Sequence, residues 1–157
     1  MSNEDDNYRS FGDSCSGVYP PEEFEGLWVE NWPNGQLKFR GQFKKNRRRV
    51  GQHLSFWESG ALQELSYWDD GWVCGTLVRF GEDGTRECEK DYGEHGGRTR
   101  SWTERCYSLD GELYSLFVWK NGDIIARWTR PELRKIEEQI GFNKIIQDAV
   151  KMVYPNE

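Results

Sequence analysis

A turn glycine recurs along this chain at nearly even spacing, and this periodicity constrains the fold more than any other feature. Gly35, Gly60, Gly84 and Gly111 follow one another at intervals of 25, 24 and 27 residues. An aromatic residue stands eight positions after each glycine: Phe43, Trp68, Tyr92 and Trp119. A period of this size is typical of one supersecondary unit that is copied along the chain and stacked on its neighbours. The repeat therefore predicts an extended array, and it favours binding over catalysis.

Each repeat unit has the sequence pattern of a β-hairpin. A polar residue precedes each turn glycine, and glycine is the residue that best tolerates the positive φ of such turns. The flanking runs are rich in aromatic and β-branched residues. The apolar alternation of the first unit shifts phase at Gly41, which predicts a bulge there. Short turns at residues 69–71 and 120–122 join the hairpins. We therefore predict a mostly β fold, an antiparallel meander of about four hairpins over residues 21–128.

The two ends of the chain depart from this pattern. Residues 1–20 are polar and aperiodic, and we expect a disordered acidic tail there. Residues 1–25 carry seven acids and one base, so they account for the whole net charge of -6. Residues 129–157 change period, with apolar residues at helical spacing: Phe142, Ile145, Ile146, Ala149, Val150 and Val153. This stripe predicts an amphipathic helical cap, interrupted at Gly141.

Two stretches carry a family resemblance, Trp32-Pro-Asn-Gly35-Gln-Leu37 and Trp57-Glu-Ser-Gly60-Ala-Leu62. Together with the later turn glycines and their downstream aromatics, they resemble MORN-type repeats, and more closely the variant found in YwqK-type antitoxin proteins. The likeness covers about residues 26–128. The third unit departs from it, with Gly81 in place of Trp and Arg86 in place of Leu. The resemblance implies an elongated sheet of hairpins, a protein-binding or scaffolding role and no catalytic residues. Its YwqK-like branch implies an antitoxin or immunity protein that neutralises a toxin.

Two acidic groups and one tryptophan are the candidate partner-binding residues. Trp72 follows an acidic turn, where a large ring need not be buried, and tryptophan is enriched at interface hot spots. An acidic block over residues 82–94 has the charge to steer a basic partner. A solvated surface is the other interpretation of this block. The candidates are Trp72, Asp69, Asp70, Glu82, Asp83 and Glu87.

A basic run forms the densest charge cluster of the chain. It comprises Lys44, Lys45, Arg47, Arg48 and Arg49. Such a run is able to contact phosphate on an anionic membrane, or it is simply a solvated turn. A nucleic-acid surface would repeat its basic residues along the array. These residues do not repeat, so we expect no nucleic-acid binding.

The sequence offers little to catalysis or to metal binding. The two histidines, His53 and His95, lie far apart, and the cysteines lack the close Cys-x-x-Cys spacing of a structural zinc site. Neither a nucleophile elbow nor a phosphate-binding loop occurs. We interpret the glycines beside His95 as a flexible connector. We therefore expect no metal, no cofactor and no enzymatic activity.

Two functional hypotheses follow from these observations. The first is a non-enzymatic antitoxin or immunity protein that occludes a cognate toxin. The second is a scaffold at an anionic membrane or in a protein assembly. The sequence shows no secretory signal and no run long enough to span a membrane. We therefore expect a cytoplasmic location with reduced cysteines.

Overall fold

A computed structural model describes residues 19–155, apart from the side chains of four helical residues (Glu137, Gln139, Ile140 and Phe142). These described residues form one antiparallel sheet of nine strands in chain order. The strands are β1 (Gly26–Asn31), β2 (Leu37–Lys44), β3 (Arg48–Phe56), β4 (Leu62–Asp69), β5 (Trp72–Phe80), β6 (Arg86–Asp91), β7 (Trp102–Tyr107), β8 (Leu113–Lys120) and β9 (Asp123–Thr129). The helices are α1 (Gly96–Thr99), α2 (Arg130–Ile140) and α3 (Phe142–Val153). The predicted mostly β meander with a C-terminal helical segment is confirmed.

The four hairpin turns share one geometry. Gly35, Gly60, Gly84 and Gly111 all have φ between 79° and 90°. Each donates its N–H to the carbonyl three residues earlier. The strand register around them is also the same, pairing Asn31 with Leu37, Phe56 with Leu62, Phe80 with Arg86 and Tyr107 with Leu113. The four sequence units are therefore four equivalent hairpins.

At two of these turns, a tryptophan forms a hydrogen bond to the next hairpin. The indole Nε1 of Trp32 donates to the Phe56 carbonyl at 3.1 Å, and Trp57 donates to the Phe80 carbonyl at 3.1 Å. Gly81 occupies the equivalent position of the third unit, so this ladder of tryptophans ends there. Phe80, one residue before Gly81, corresponds to Phe56, and each is the last residue of its strand.

The connections between hairpins fix the twist of the sheet. Three of them place two consecutive residues at positive φ: Asn46-Arg47, Asp70-Gly71 and Asn121-Gly122. Such turns match the twist of the flanking strands. The predicted bulge is confirmed, because Gly41 pairs with His53 whereas Gln42 pairs with Val50. Gly51 and Gln52 of β3 thus lie between two pairs whose β2 members, Gly41 and Gln42, are adjacent in the chain.

The connection from β6 to β7 differs from the flexible connector expected there. It contains α1, whose Gly96 and Gly97 are buried. A Cβ at Gly97 would lie 2.2 Å from the Val73 carbonyl oxygen, and a Cβ at Gly96 would lie 2.4 Å from the Ser101 carbonyl oxygen. Gly97 therefore allows α1 to pack closely against the start of β5, and Gly96 allows it to pack against the residue that precedes β7.

The sheet has two faces with different coverings. On the back face, Leu116 and Val118 are fully buried against α2 and α3 by Leu133, Ile145, Ala149 and Val153. Neighbouring residues of a strand point to opposite faces, so Trp119 lies on the front face. There it packs against a hydrophobic cluster of Val73, Leu77, Tyr92 and Trp102. The helices thus cover the back of β7 to β9 and leave the front of these strands accessible.

Two residues of the predicted tail contact the sheet. Tyr19 and Pro20, which we assigned to the tail, pack on the turn between β2 and β3. Arg47 donates to the Pro20 carbonyl at 3.0 Å, and Arg49 donates to the Tyr19 hydroxyl at 2.9 Å. The rest of the predicted tail, residues 1–18, lies outside the described residues. Between residues 19 and 155, no helix has both the length and the apolar character needed to cross a membrane.

Candidate functional site

The front face carries a cleft of about 670 Å³ over strands β4 to β8. We call it the aromatic cleft, because five large rings line it: Trp68, Trp72, Tyr92, Trp102 and Trp119. Its volume falls within the range of about 300–1,000 Å³ that ligand sites occupy. Arg100, which follows α1, also lines the cleft, together with Gly71 and Gly122. Apolar walls with a few polar groups are the usual composition of a binding site.

The rings form a continuous wall that is fixed by mutual packing. Trp102 and Trp119 stack with centroids 4.9 Å apart and planes 17° from parallel. Tyr92 packs on Trp102 at 5.3 Å. Trp72 lies at the rim and is 44% exposed. The wall therefore offers rigid apolar surface at its centre and one accessible ring at its edge.

A buried acid and a base occupy the floor of the cleft. Glu64 on β4 is only 5% exposed and lies directly opposite Arg79 on β5. Burial raises the pKa of Glu64, and the charge of Arg79 partly offsets this effect. Glu64 Oε2 and Arg79 Nε are 3.7 Å apart, too far for a hydrogen bond. Neither atom has a hydrogen-bond partner among the described residues.

A second acid, Glu104, is the centre of a polar network on the same floor. Its Oε2 accepts from the indole of Trp119 at 3.1 Å and from that of Trp102 at 3.5 Å. The Lys90 ammonium lies 3.9 Å from this oxygen. Its Oε1 faces the sulfurs of Cys88 and Cys106 at 3.7 and 3.9 Å. One carboxylate thus joins three strands of the cleft.

The two cysteines of this network perturb each other. Cys88 and Cys106 are direct partners across β6 and β7. A hydrogen bond from the Cys88 thiol lowers the pKa of Cys106 to about 7, although burial opposes this effect. The same contact, with burial, raises the pKa of Cys88. The sequence shows no close spacing of these cysteines, and only the strand register brings them together.

The structure divides the predicted partner-binding residues into two groups. Trp72, Asp69 and Asp70 lie together at the turn beside the cleft, where Arg98 pairs with Asp69 at 3.2 Å and Arg48 pairs with Asp70 at 2.7 Å. The other group, Glu82, Asp83 and Glu87, lies at and just after the turn at the far end of β5. This strand has nine residues, which spans about 26 Å at roughly 3.3 Å per residue. The six residues therefore do not form one compact surface.

Within the far group, Asp83 has a structural role. Its carboxylate accepts the backbone N–H of Thr85 at 2.9 Å. This hydrogen bond lowers the pKa of Asp83. The acceptor geometry stabilises the hairpin turn at Gly84, as expected for an Asp in such a turn. Asp83 is thus already engaged within its own turn.

The basic run lies together at the turn between β2 and β3, and its arginines make contacts within the chain. Arg47 bonds to Pro20, and Arg48 pairs with Asp70. Arg49 stacks over the ring of Trp68 at 4.6 Å. Lys44 and Lys45 are exposed beside them. Three of the five cations thus support the fold at the end of the cleft.

Sequence reasoning missed the cleft because an aromatic residue has the same sequence pattern whether it is buried in a core or lines a cleft. Trp68, Tyr92 and Trp119 are the residues eight positions after a turn glycine, and all three line the cleft. Their fixed spacing was the available signal, since equivalent positions of equivalent hairpins share a face. The second signal was the position of two charged residues. Glu64 lies four residues before Trp68 and Lys90 lies two before Tyr92, and residues at even separation on a strand share a face.

Comparison with known proteins gives no family assignment. No family model matches the chain, and no curated protein matches it. Among solved structures, the chain is similar to the crystal structure of TarM, with 14% sequence identity and a TM-score of 0.42. The likeness covers 82% of this chain and 24% of TarM, so the chain spans about a quarter of that structure's length. At this similarity, the likeness carries no argument about function.

Proposed function

We propose that this chain is a non-enzymatic binding protein whose aromatic cleft receives a protruding loop of a protein partner. The observation that carries the proposal is the floor beneath the rings. There, buried Glu64 Oε2 and Arg79 Nε lack hydrogen-bond partners among the described residues. Buried polar atoms are almost always satisfied in a complete structure. Both atoms are covered by the rest of the chain, so a ligand reaches them when the side chains above them move, and one donor and one acceptor would then satisfy both.

A polypeptide loop has the required chemistry. Every peptide group carries one N–H donor and one C=O acceptor, which are complementary to Glu64 Oε2 and Arg79 Nε. An apolar side chain beside that peptide group would pack against Tyr92 and Trp102, the buried rings of the wall. Trp72 at the rim is placed as an anchor, since tryptophan is enriched among residues that dominate binding energy.

Neutralisation of a toxin is the specific role that we propose. The family resemblance of the hairpins supports it, and a rigid cleft is well suited to occlude a projecting loop of a toxin. The scaffold hypothesis has less support, because Arg47, Arg48 and Arg49 make contacts within the chain. The acidic residues of the far turn would then act on encounter rate rather than on the contact itself.

The test is affinity capture from the source cell, followed by calorimetry with the purified partner. Trp72→Ala should weaken binding by about 2 kcal/mol, or roughly 30-fold, as a hot-spot residue does. The matched control is Tyr114→Ala, since Tyr114 is 57% exposed and lies outside the cleft lining. Co-expression should relieve any growth defect caused by the partner, and Trp72→Ala should relieve it less. Equal affinity of the wild type and of a Trp72→Ala/Trp102→Ala double variant that remains folded would reject the cleft as the binding site.

A further inference from the structure

Three side chains with metal-ligating atoms converge on the floor of the cleft. Cys88 and Cys106 lie opposite each other on β6 and β7, and Glu104 precedes Cys106 by two residues on the same face. The sulfurs and one carboxylate oxygen all lie within 4.8 Å of one another. The ligands thus come from two adjacent strands whose backbones are fixed by the sheet.

The sulfur-to-oxygen distances match the edges of a tetrahedral zinc site. Zn–S bonds of about 2.3 Å and Zn–O bonds of about 2.0–2.2 Å give S···O edges of about 3.6 Å in a tetrahedron. The observed distances from Glu104 Oε1 to the sulfurs of Cys88 and Cys106 are 3.7 and 3.9 Å. Both S···O distances therefore match a tetrahedral edge to within a few tenths of an ångström, and the two sulfurs lie within 4.8 Å of each other.

The surroundings of Glu104 are those of a supported metal ligand. Its other oxygen, Oε2, accepts from the indoles of Trp102 and Trp119. Hydrogen bonds of this kind orient a ligating carboxylate. Two thiolates and one carboxylate around Zn²⁺ leave one net negative charge. The ammonium of Lys90, 3.9 Å from Oε2, offsets that charge.

We propose that Cys88 Sγ, Cys106 Sγ and Glu104 Oε1 bind one Zn²⁺ ion, with the fourth coordination position open to the aromatic cleft. Thiolates select zinc over magnesium and calcium, which prefer oxygen ligands. All three residues line the cleft, so the open position is accessible to water or to a ligand. Binding releases the thiol protons to solvent. Zinc binding at this site requires no protein partner, because all three ligands belong to this chain.

The first experiment is metal titration of the full-length protein, kept reduced and free of oxygen. Zn²⁺ is added in competition with a chromophoric chelator, and Co²⁺ is added separately as a spectroscopic probe. The expected result is one Zn²⁺ per chain and a thiolate-to-cobalt charge-transfer band in the near ultraviolet. Zinc should also protect Cys88 and Cys106 from alkylation, read by peptide mass spectrometry, while Cys74 stays as reactive as before. These readouts need no variant.

Matched variants assign the site. Cys88→Ser, Cys106→Ser and Glu104→Gln should each weaken Zn²⁺ binding about tenfold or more. Loss of a residue that only hydrogen-bonds to a metal ligand already lowers metal affinity by about 10–100-fold. Cys74→Ser is the control, since Cys74 is a half-buried thiol of the same sheet that does not line the cleft. Cys15→Ser provides a second control. No Zn²⁺ uptake by the reduced wild type would overturn the proposal, as would equal loss of binding in Cys74→Ser or Cys15→Ser.

Discussion

Protonation of His53 should destabilise the protein below neutral pH. The ring is 2% exposed and is surrounded by Phe39, Phe43 and Trp68 at centroid distances of 5.5, 5.1 and 6.0 Å. Its Nε2 bonds to the Gln42 carbonyl at 2.9 Å. Burial lowers the pKa of His53 from its ordinary 6.5 to about 4, against the effect of that hydrogen bond. Between about pH 4 and pH 6.5, the folded protein therefore holds a neutral imidazole, whereas the unfolded chain holds a charged one.

The size and sign of the effect follow from this pKa difference. Between pH 6.5 and about 4, the unfolded state binds more protons at His53 than the folded state does. Stability thus falls as the pH falls through this window. At about 1.4 kcal/mol per pH unit, the full loss is about 3 kcal/mol, of which about 2 kcal/mol is lost by pH 5. A loss of this size is a large part of the 5–15 kcal/mol that is typical of a domain.

Urea unfolding followed by tryptophan fluorescence at pH 7.5, 6.5, 5.5 and 5.0 measures this loss. The raised pKa of Glu64 acts in the opposite direction, so the wild type alone does not isolate His53. His53→Gln keeps an N–H donor but does not titrate, and it should remove about 2 kcal/mol of the pH dependence. Equal pH slopes for the wild type and His53→Gln would refute the reasoning.

Three further perturbations test other contacts and surfaces of the chain. Gly41→Ala should lower the free energy of unfolding by about 2 kcal/mol, measured by urea unfolding. Its Cβ would lie 2.5 Å from His53 Nδ1, and the rings around His53 keep the imidazole from moving away. An unchanged urea midpoint would contradict this. Trp57→Phe should cost about 1 kcal/mol through loss of the bond to the Phe80 carbonyl, and Trp32→Phe should cost the same if the hairpins are energetically equivalent. The wild type should sediment equally with anionic and zwitterionic vesicles, whereas a salt-sensitive excess lost in Lys44→Glu/Lys45→Glu would favour the scaffold hypothesis.

The repeat in the sequence predicts the sheet because its turns are local. A glycine such as Gly35 or Gly111 needs positive φ for reasons contained in four residues, and each hairpin pairs neighbours in the chain. The bulge at Gly41 was predictable for the same reason, as a local change of phase. The amphipathic stripe of α3 predicted its burial, since Ile145 and Ala149 pack on the sheet as their spacing requires.

The site was less predictable because it depends on contacts across strands. Cys88 and Cys106 are 18 positions apart in the chain, and only the register of β6 and β7 makes them neighbours. Ligand spacing rules describe loops and helices, so they do not detect a pair that only strand register brings together. The division between buried core and open cleft was also hidden, because it depends on which face α2 and α3 cover. An aromatic residue such as Trp102 has the same pattern in either case.

The central claim, that the aromatic cleft contacts a protein partner, is tested most directly by site-specific photocrosslinking in the source cell. A photoreactive phenylalanine replaces Trp72 in one variant and Tyr114 in another, so that a large ring remains at each position. We predict one dominant crosslinked protein from position 72, with the same partner absent from position 114. Crosslinking of that partner from position 114 and none from position 72 would contradict the account.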